Sequence, residues 1–295
     1  FQEDALRMMR AIRFAASLGF QPVISVIMSI WDNAPLIHNV APERFREEIN
    51  RILVSQNAGW GLQALSMTNL LCEVLPESDN CVGIEQENPH HSYDVFGHTR
   101  HVVDAIPPVL HLRLAALLHD IAKPLTFTLD ESGVGHFYGH DEMGAEMAKG
   151  ILERLKYDRA TIDRIVLLVR EHMFSSDMGA KAIRRFIARV GAENVPDLME
   201  LRLADIKGSG TPHDTSHVDH IRAVLEDMQT QGVADPKSAL AVSGRDVMEV
   251  LGIGPGPRVG AILRYLVELI TDQPDLNHRW KLLAILETKK ADAST

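Results

Sequence analysis

Along most of the chain the apolar positions recur every three or four residues, the period of a helix with one buried face. Residues 3–18 carry acids in their first turn and run into Gly19, which is placed to end the helix. Pro42 opens a second helix to about Ser55, at the first-turn position where its missing N–H costs nothing. A third, apolar on most sides, runs from Gly61 to Leu75 and stops at Pro76. Helical spacing recurs over about 93–106, 111–122, 140–155, 159–173, 179–190 and 196–207, then near 215–230, 244–251, 257–271 and 276–289. Thr126–Tyr138 reads differently, because β-favouring residues flank Glu131-Ser132-Gly133 in the pattern of a short hairpin. The expected fold is all-α. It divides into an N-terminal helical region (1–75), a polar, broken linker (76–92), a helical module (93–212) and a helical tail (213–295).

Composition narrows the classes. Apolar residues make up 45% of the 295 and charged residues 24%, which excludes wholesale disorder. No apolar run approaches the length of a membrane span, so no membrane partner is expected. The chain starts at Phe1 with no basic stretch leading into an apolar one, so no secretory signal is read and a longer N-terminus is expected to precede it. Cys72 and Cys81 are too few for a disulfide framework and fit a reducing cytosol, making a cytoplasmic location the expectation. The net charge of −10 argues against broad electrostatic binding to nucleic acid. Residues 1–60 are neutral, with six Arg and six acids, so the remainder holds the whole acidic excess. That asymmetry points to two functional regions.

The 14 histidines carry the first chemistry. His119-Asp120 ends an apolar helix, Leu112 to Leu118. Adjacent residues on a helix point about 100° apart, so such a pair converges on one object only at a helix end or around a metal. His98 lies one helix earlier, and His140, His172 and Asp205 lie near the ends of three later helices. Imidazoles and carboxylates are the ligands of a hydrolytic divalent metal, and no cysteine competes for the site. This order of residues resembles the HD superfamily of metal-dependent phosphohydrolases. The resemblance makes His98, His119, Asp120 and Asp205 the core ligands of a divalent metal (Mg, Mn, Ni or Fe). His140 and His172 match the extra histidines found where such sites hold a second metal or contact phosphate. His119 and Asp120 would be catalytic, together with Lys123, one turn on, as a point charge for a phosphate oxygen. The other histidines are read as surface or packing residues.

The first helix adds a second theme. Glu3, Asp4, Arg7, Arg10, Arg13 and Phe14 closely resemble the base-selecting helix of the tRNA nucleotidyltransferases, the CCA-adding enzymes and their poly(A) polymerase relatives. Asp4 and Arg7 are three apart and share a helical face. A carboxylate only accepts hydrogen bonds and a guanidinium only donates them. Cytosine and adenine each present an amino donor beside a ring-nitrogen acceptor, whereas uracil and guanine present a carbonyl beside an N–H. The pair therefore accepts C and A, a discrimination worth about 1–3 kcal/mol per mispaired contact. Glu3 would orient Arg7, with Arg10 and Arg13 completing the nucleotide-binding set. Pro42-Glu43-Arg44-Phe45-Arg46-Glu47-Glu48 resembles the family's next motif, in which Glu43, Arg44 and Glu47 would brace the neck, although Ala41 stands where a Ser or Thr cap is usual.

Further on, Val242–Met248 and Leu251–Gly260 resemble the family's C-terminal segment, which implies a tail that grips tRNA by shape and phosphate. The glycines of Gly254–Gly260 read equally well as a tight helix–helix turn. The resemblance implies addition of CMP and AMP to the 3′ end of tRNA, from CTP and ATP with magnesium. In this family an Asp-x-Asp pair in an N-terminal head performs the transfer. No Asp-x-Asp occurs anywhere in this chain, so the head is expected to lie before Phe1 and the isolated polypeptide is expected not to polymerise. A stand-alone metal phosphohydrolase acting on nucleotides or phosphodiesters is the alternative.

Overall fold

A computed structural model describes residues 1–87, 92–175, 177–210, 214–232 and 235–292. His90, His91 and His213, read above as surface or packing residues, lie outside them. Among the described residues every regular element is a helix apart from one two-stranded hairpin. They form two compact units: residues 1–174 with 197–214, and residues 175–196 with 215–295. None of the described helices is long and apolar enough to cross a membrane.

The first unit begins with α1 (Leu6–Leu18), α2 (Ile24–Asn33), α3 (Pro42–Leu53), α4 (Ala58–Met67), α5 (Leu70–Val74) and α6 (Pro76–Asp79). Gly19 ends α1 in the left-handed conformation, φ 70°, as its position predicts. Ala41 supplies α3 with no side-chain cap. Met8, Met9 and Ile12 of α1 meet Ile49, Ile52 and Leu53 of α3 and Leu62 and Leu65 of α4 in a buried core. The single helix expected over 61–75 is broken: Asn69 adopts φ 61°, which stops α4 and restarts the chain as α5. Short polar residues tolerate that conformation, and helical periodicity across the break does not reveal it. The period also misses α2, an apolar run whose Ile24, Met28 and Trp31 face solvent. The stretch expected as a linker contains α6.

The same unit continues through α7 (Val95–Ala105), α8 (Leu110–Leu118), α9 (Lys123–Thr126), β1 (Thr128–Leu129), β2 (Gly135–His136), α10 (His140–Arg154) and α11 (Arg159–Glu171). Asp94 and Asp158 cap α7 and α11 by accepting from the backbone N–H groups of Gly97 and Thr161. Thr128 pairs with His136 across the expected hairpin. The helix bundle packs α7 on α8, α8 on α11 and α11 on α10.

In the second unit α12 (Ala180–Val190) packs on α14 (Ser216–Thr230) and α17 (Pro257–Asp272), and α16 (Gly244–Leu251) packs on α17 and α18 (Arg279–Asp292). The remaining helices are α13 (Val195–Gly208), whose residues from Asp197 onward belong to the first unit, and the short α15 (Pro236–Ala239). A capping box of Ser243 and Asp246 starts α16, and Arg279 bonds the same Asp246 at 2.6 Å.

Candidate metal centre and nucleotide-reading helix

Five elements of the first unit bring the predicted histidines and aspartates together. His98 comes from α7, His119 and Asp120 from the end of α8, His140 from the first position of α10, His172 from the residue that closes α11, and Asp205 from α13. Gly139, left-handed at φ 75°, turns the chain so that His140 enters the bundle. All four imidazoles and Asp120 are buried.

Asp120 is the hub. Its Oδ2 lies 3.1 Å from His119 Nε2, 3.4 Å from His98 Nε2 and 2.7 Å from Lys123 Nζ. Its Oδ1 lies 3.4 Å from His140 Nε2 and 3.9 Å from His172 Nε2. One carboxylate thus faces two imidazole pairs, and each pair with Asp120 makes a three-residue group able to hold a metal ion. Asp205 joins the first group, its Oδ1 3.1 Å from His98 Nε2, while Arg202 bonds its Oδ2 at 2.8 Å.

The tautomers test whether a cation fits. His119, His140 and His172 place Nδ1 at 2.8, 2.7 and 2.6 Å from the backbone carbonyls of Ala116, Phe137 and Val169. A carbonyl only accepts, so in each neutral ring Nδ1 carries the hydrogen and Nε2 presents a lone pair. His140 Nε2 and His172 Nε2 then face each other at 3.3 Å with Asp120 Oδ1 beside them. Three acceptors pointed at one spot have no stable arrangement without a positive charge, and this donor set fits a divalent metal.

The electrostatics agree. Burial lowers the His172 pKa to about 3, reinforced by the charge of His119 and opposed by that of Asp120. Burial pushes His119 the same way, but the charge and hydrogen bond of Asp120 overcome it and raise its pKa. Burial opposes ionisation of Asp120, yet His119 and Lys123 hold its pKa well below the usual carboxylate range. Burial opposes ionisation of Asp205 as well, but its hydrogen bond to His98 and the charges of His98 and His119 together hold its pKa down.

At the other candidate site, Arg7 is exposed and its Nη1 sits 3.2 Å from Glu3 Oε2. Asp4 Oδ1 accepts from the Leu6 N–H at 3.1 Å, at the start of α1. No ion pair joins Asp4 to Arg7. Arg10 and Arg13 both turn to one acid of α3, Glu48, at 3.6 and 2.7 Å. Glu48 is 5% exposed. Glu43, Arg44 and Glu47 are exposed, and none makes a side-chain hydrogen bond or ion pair to α1. The acid that ties the two helices together is therefore Glu48, which the motif reading passes over. Its signal was available, since Glu48 lies on the apolar stripe of Ile49, Ile52 and Leu53. The resemblance also does not single out Gln86, whose Oε1 lies 2.8 Å from Lys123 Nζ.

Comparison with known proteins adds two family matches. Residues 90–207 match the HD domain, and residues 19–81 match the probable RNA and SrmB-binding site of polymerase A. The chain is 36% identical to the A-adding tRNA nucleotidyltransferase of Deinococcus radiodurans over 90% of its own length and 64% of that protein's. It is also 36% identical to the CC-adding tRNA nucleotidyltransferase of Thermus thermophilus, over 90% of this chain and 62% of that one. A solved structure of the apo form of a CCA-adding enzyme is similar at a TM-score of 0.47 and 14% identity, over 98% of this chain and 60% of that one. The chain spans less than two thirds of the length of these curated relatives. It thus carries an HD domain and a polymerase A-type RNA-binding segment, and its homologues are tRNA nucleotidyltransferases.

Proposed function

We propose that this chain is the C-terminal portion of a tRNA nucleotidyltransferase that adds CMP or AMP to tRNA 3′ ends, with a phosphohydrolase centre in its HD domain. Asp4 and Arg7 read the pairing edge of CTP or ATP, Glu3 steadies Arg7, and Arg10 and Arg13 fix the helix on Glu48. The magnesium-binding carboxylates belong to a head that precedes Phe1, and the tail from 213 to 295 contributes to tRNA binding in the cytoplasm. The observation that supports base selection is the exposed Glu3–Arg7 pair at the start of a helix held down by a buried acid. The isolated chain should incorporate no labelled ATP or CTP into tRNA. With its head, the protein should do so, and Arg7→Ala should erode the preference for CTP and ATP over UTP and GTP by about tenfold while leaving tRNA affinity intact. Loss of tRNA binding with selectivity unchanged would make Arg7 a phosphate contact instead.

At the HD centre His98, His119, Asp120 and Asp205 are the core ligands, and His140 and His172 with Asp120 form the second group. A divalent metal held there would lower the pKa of a bound water and would neutralise charge on a phosphate. The chain's own part is to present neutral imidazoles, to keep Asp120 ionised, to exclude bulk water by burial, and to aim the Lys123 ammonium at a phosphate oxygen. Phosphoesters at RNA 3′ ends, including 2′,3′-cyclic phosphates, are the substrate class. A second reading, an independent phosphohydrolase, is favoured by one fact: every ligand lies within a single compact unit. An Asp-x-Asp strand encoded upstream of Phe1 decides for the first.

A further inference from the structure

We propose that Gln86 is a positioning residue that aims Lys123 without cancelling its charge; this rests on reading the centre as a phosphoester site. The side chain of Lys123 is 7% exposed. A buried ammonium has three donors and no acceptor, and each donor left without a partner is costly. Asp120 Oδ2 pairs with its charge at 2.7 Å, but that oxygen is shared with His119 and His98. Gln86 Oε1, a neutral group, accepts a hydrogen bond from the ammonium at 2.8 Å.

The orientation of the amide is fixed. Gln86 Nε2 donates at 3.1 Å to the backbone carbonyl of Tyr93, which can only accept. The oxygen end is therefore the one turned to Lys123. The segment carrying Gln86 is held on both sides: Val95 N donates to Ile84 O at 3.0 Å, and Gly135 N donates to Glu87 O at 2.8 Å. A Cβ at Gly135 would lie 2.2 Å from Gln86 O, so glycine is required there for the segment to sit against the hairpin. Gln86 itself is 2% exposed.

A carboxylate in its place would bond Lys123 equally well but would neutralise it and face the Tyr93 carbonyl with like polarity. The amide leaves the positive charge for an anion. Flanked by Glu85 and Glu87, position 86 is the neutral member of an acidic run.

The test is calorimetric binding of inorganic phosphate to the full chain loaded with Mn. Gln86→Met, which keeps the size and removes the acceptor, should weaken phosphate binding about fivefold to tenfold. Gln86→Glu should weaken it at least as much, with bound Mn unchanged in both. The double variant Gln86→Met with Lys123→Ala should bind phosphate no more weakly than Lys123→Ala alone. With adenosine 2′,3′-cyclic phosphate as substrate, the loss should fall on KM rather than kcat. A Gln86→Met protein that binds phosphate like wild type overturns this proposal alone. So do losses that multiply in the double variant, and so does a parallel fall in bound Mn. A wild type that binds Mn but no phosphate overturns the phosphoester reading together with it.

Discussion

Asp120 holds Lys123 and faces two imidazole pairs through different oxygens, so the two halves of the centre have one residue in common. Metal must compete with protons for such ligands. His172, lowered to about 3, is neutral at any ordinary pH, but His119, raised, keeps its proton longer. Apparent Mn affinity should therefore climb as pH rises above the ordinary imidazole range, where His119 gives up its proton, and then level off. A flat profile in a titration series would contradict this assignment of protons. His119→Ala should abolish hydrolysis of a 2′,3′-cyclic phosphate while the far-ultraviolet circular dichroism stays native. The convergence of these residues was legible because imidazole and carboxylate have few other reasons to recur at helix ends in that order. Gln86 was not, because an amide in a polar run carries no pattern until its partners are known. Glu48 was half legible, as an acid on an apolar stripe.

At the scale of elements, α3 is the bar on which the N-terminal region and the α10–α11 pair are both fastened. Glu48 receives Arg10 and Arg13 of α1, while Arg46 donates to the carbonyls of Leu155 and Lys156 and Asn50 accepts from the Tyr157 hydroxyl. Those last three residues form the turn between α10 and α11, whose far ends carry His140 and His172. Glu48→Ala leaves the part-buried Arg13 without its acid and should cost about 1–3 kcal/mol in urea denaturation. Gly61→Ala places a Cβ 2.5 Å from Ile52 Cγ2, where α4 crosses α3, and should cost about 1–3 kcal/mol by the same measurement. An unchanged midpoint for either would mean the helices adjust freely. Helices with one buried face were readable from spacing alone. The break at Asn69 and the helix α2 were not, since one depends on a single backbone angle and the other shows no clear polar face.

Over the whole molecule, two compact units coexist with an acidic net charge of −10 and an N-terminal sixty residues that balance to zero. The all-α class followed from periodicity, whereas the course of residues 175–196, which belong with the tail, depends on long-range packing that no local pattern encodes. The account is tested most directly by the metal content of the purified chain after saturation with Mn and dialysis. Wild type should retain metal, His172→Ala should lose only the portion held by the second group, and Asp120→Ala, which removes the residue common to both, should retain none. Equal metal in Asp120→Ala and wild type would contradict a centre built on that carboxylate.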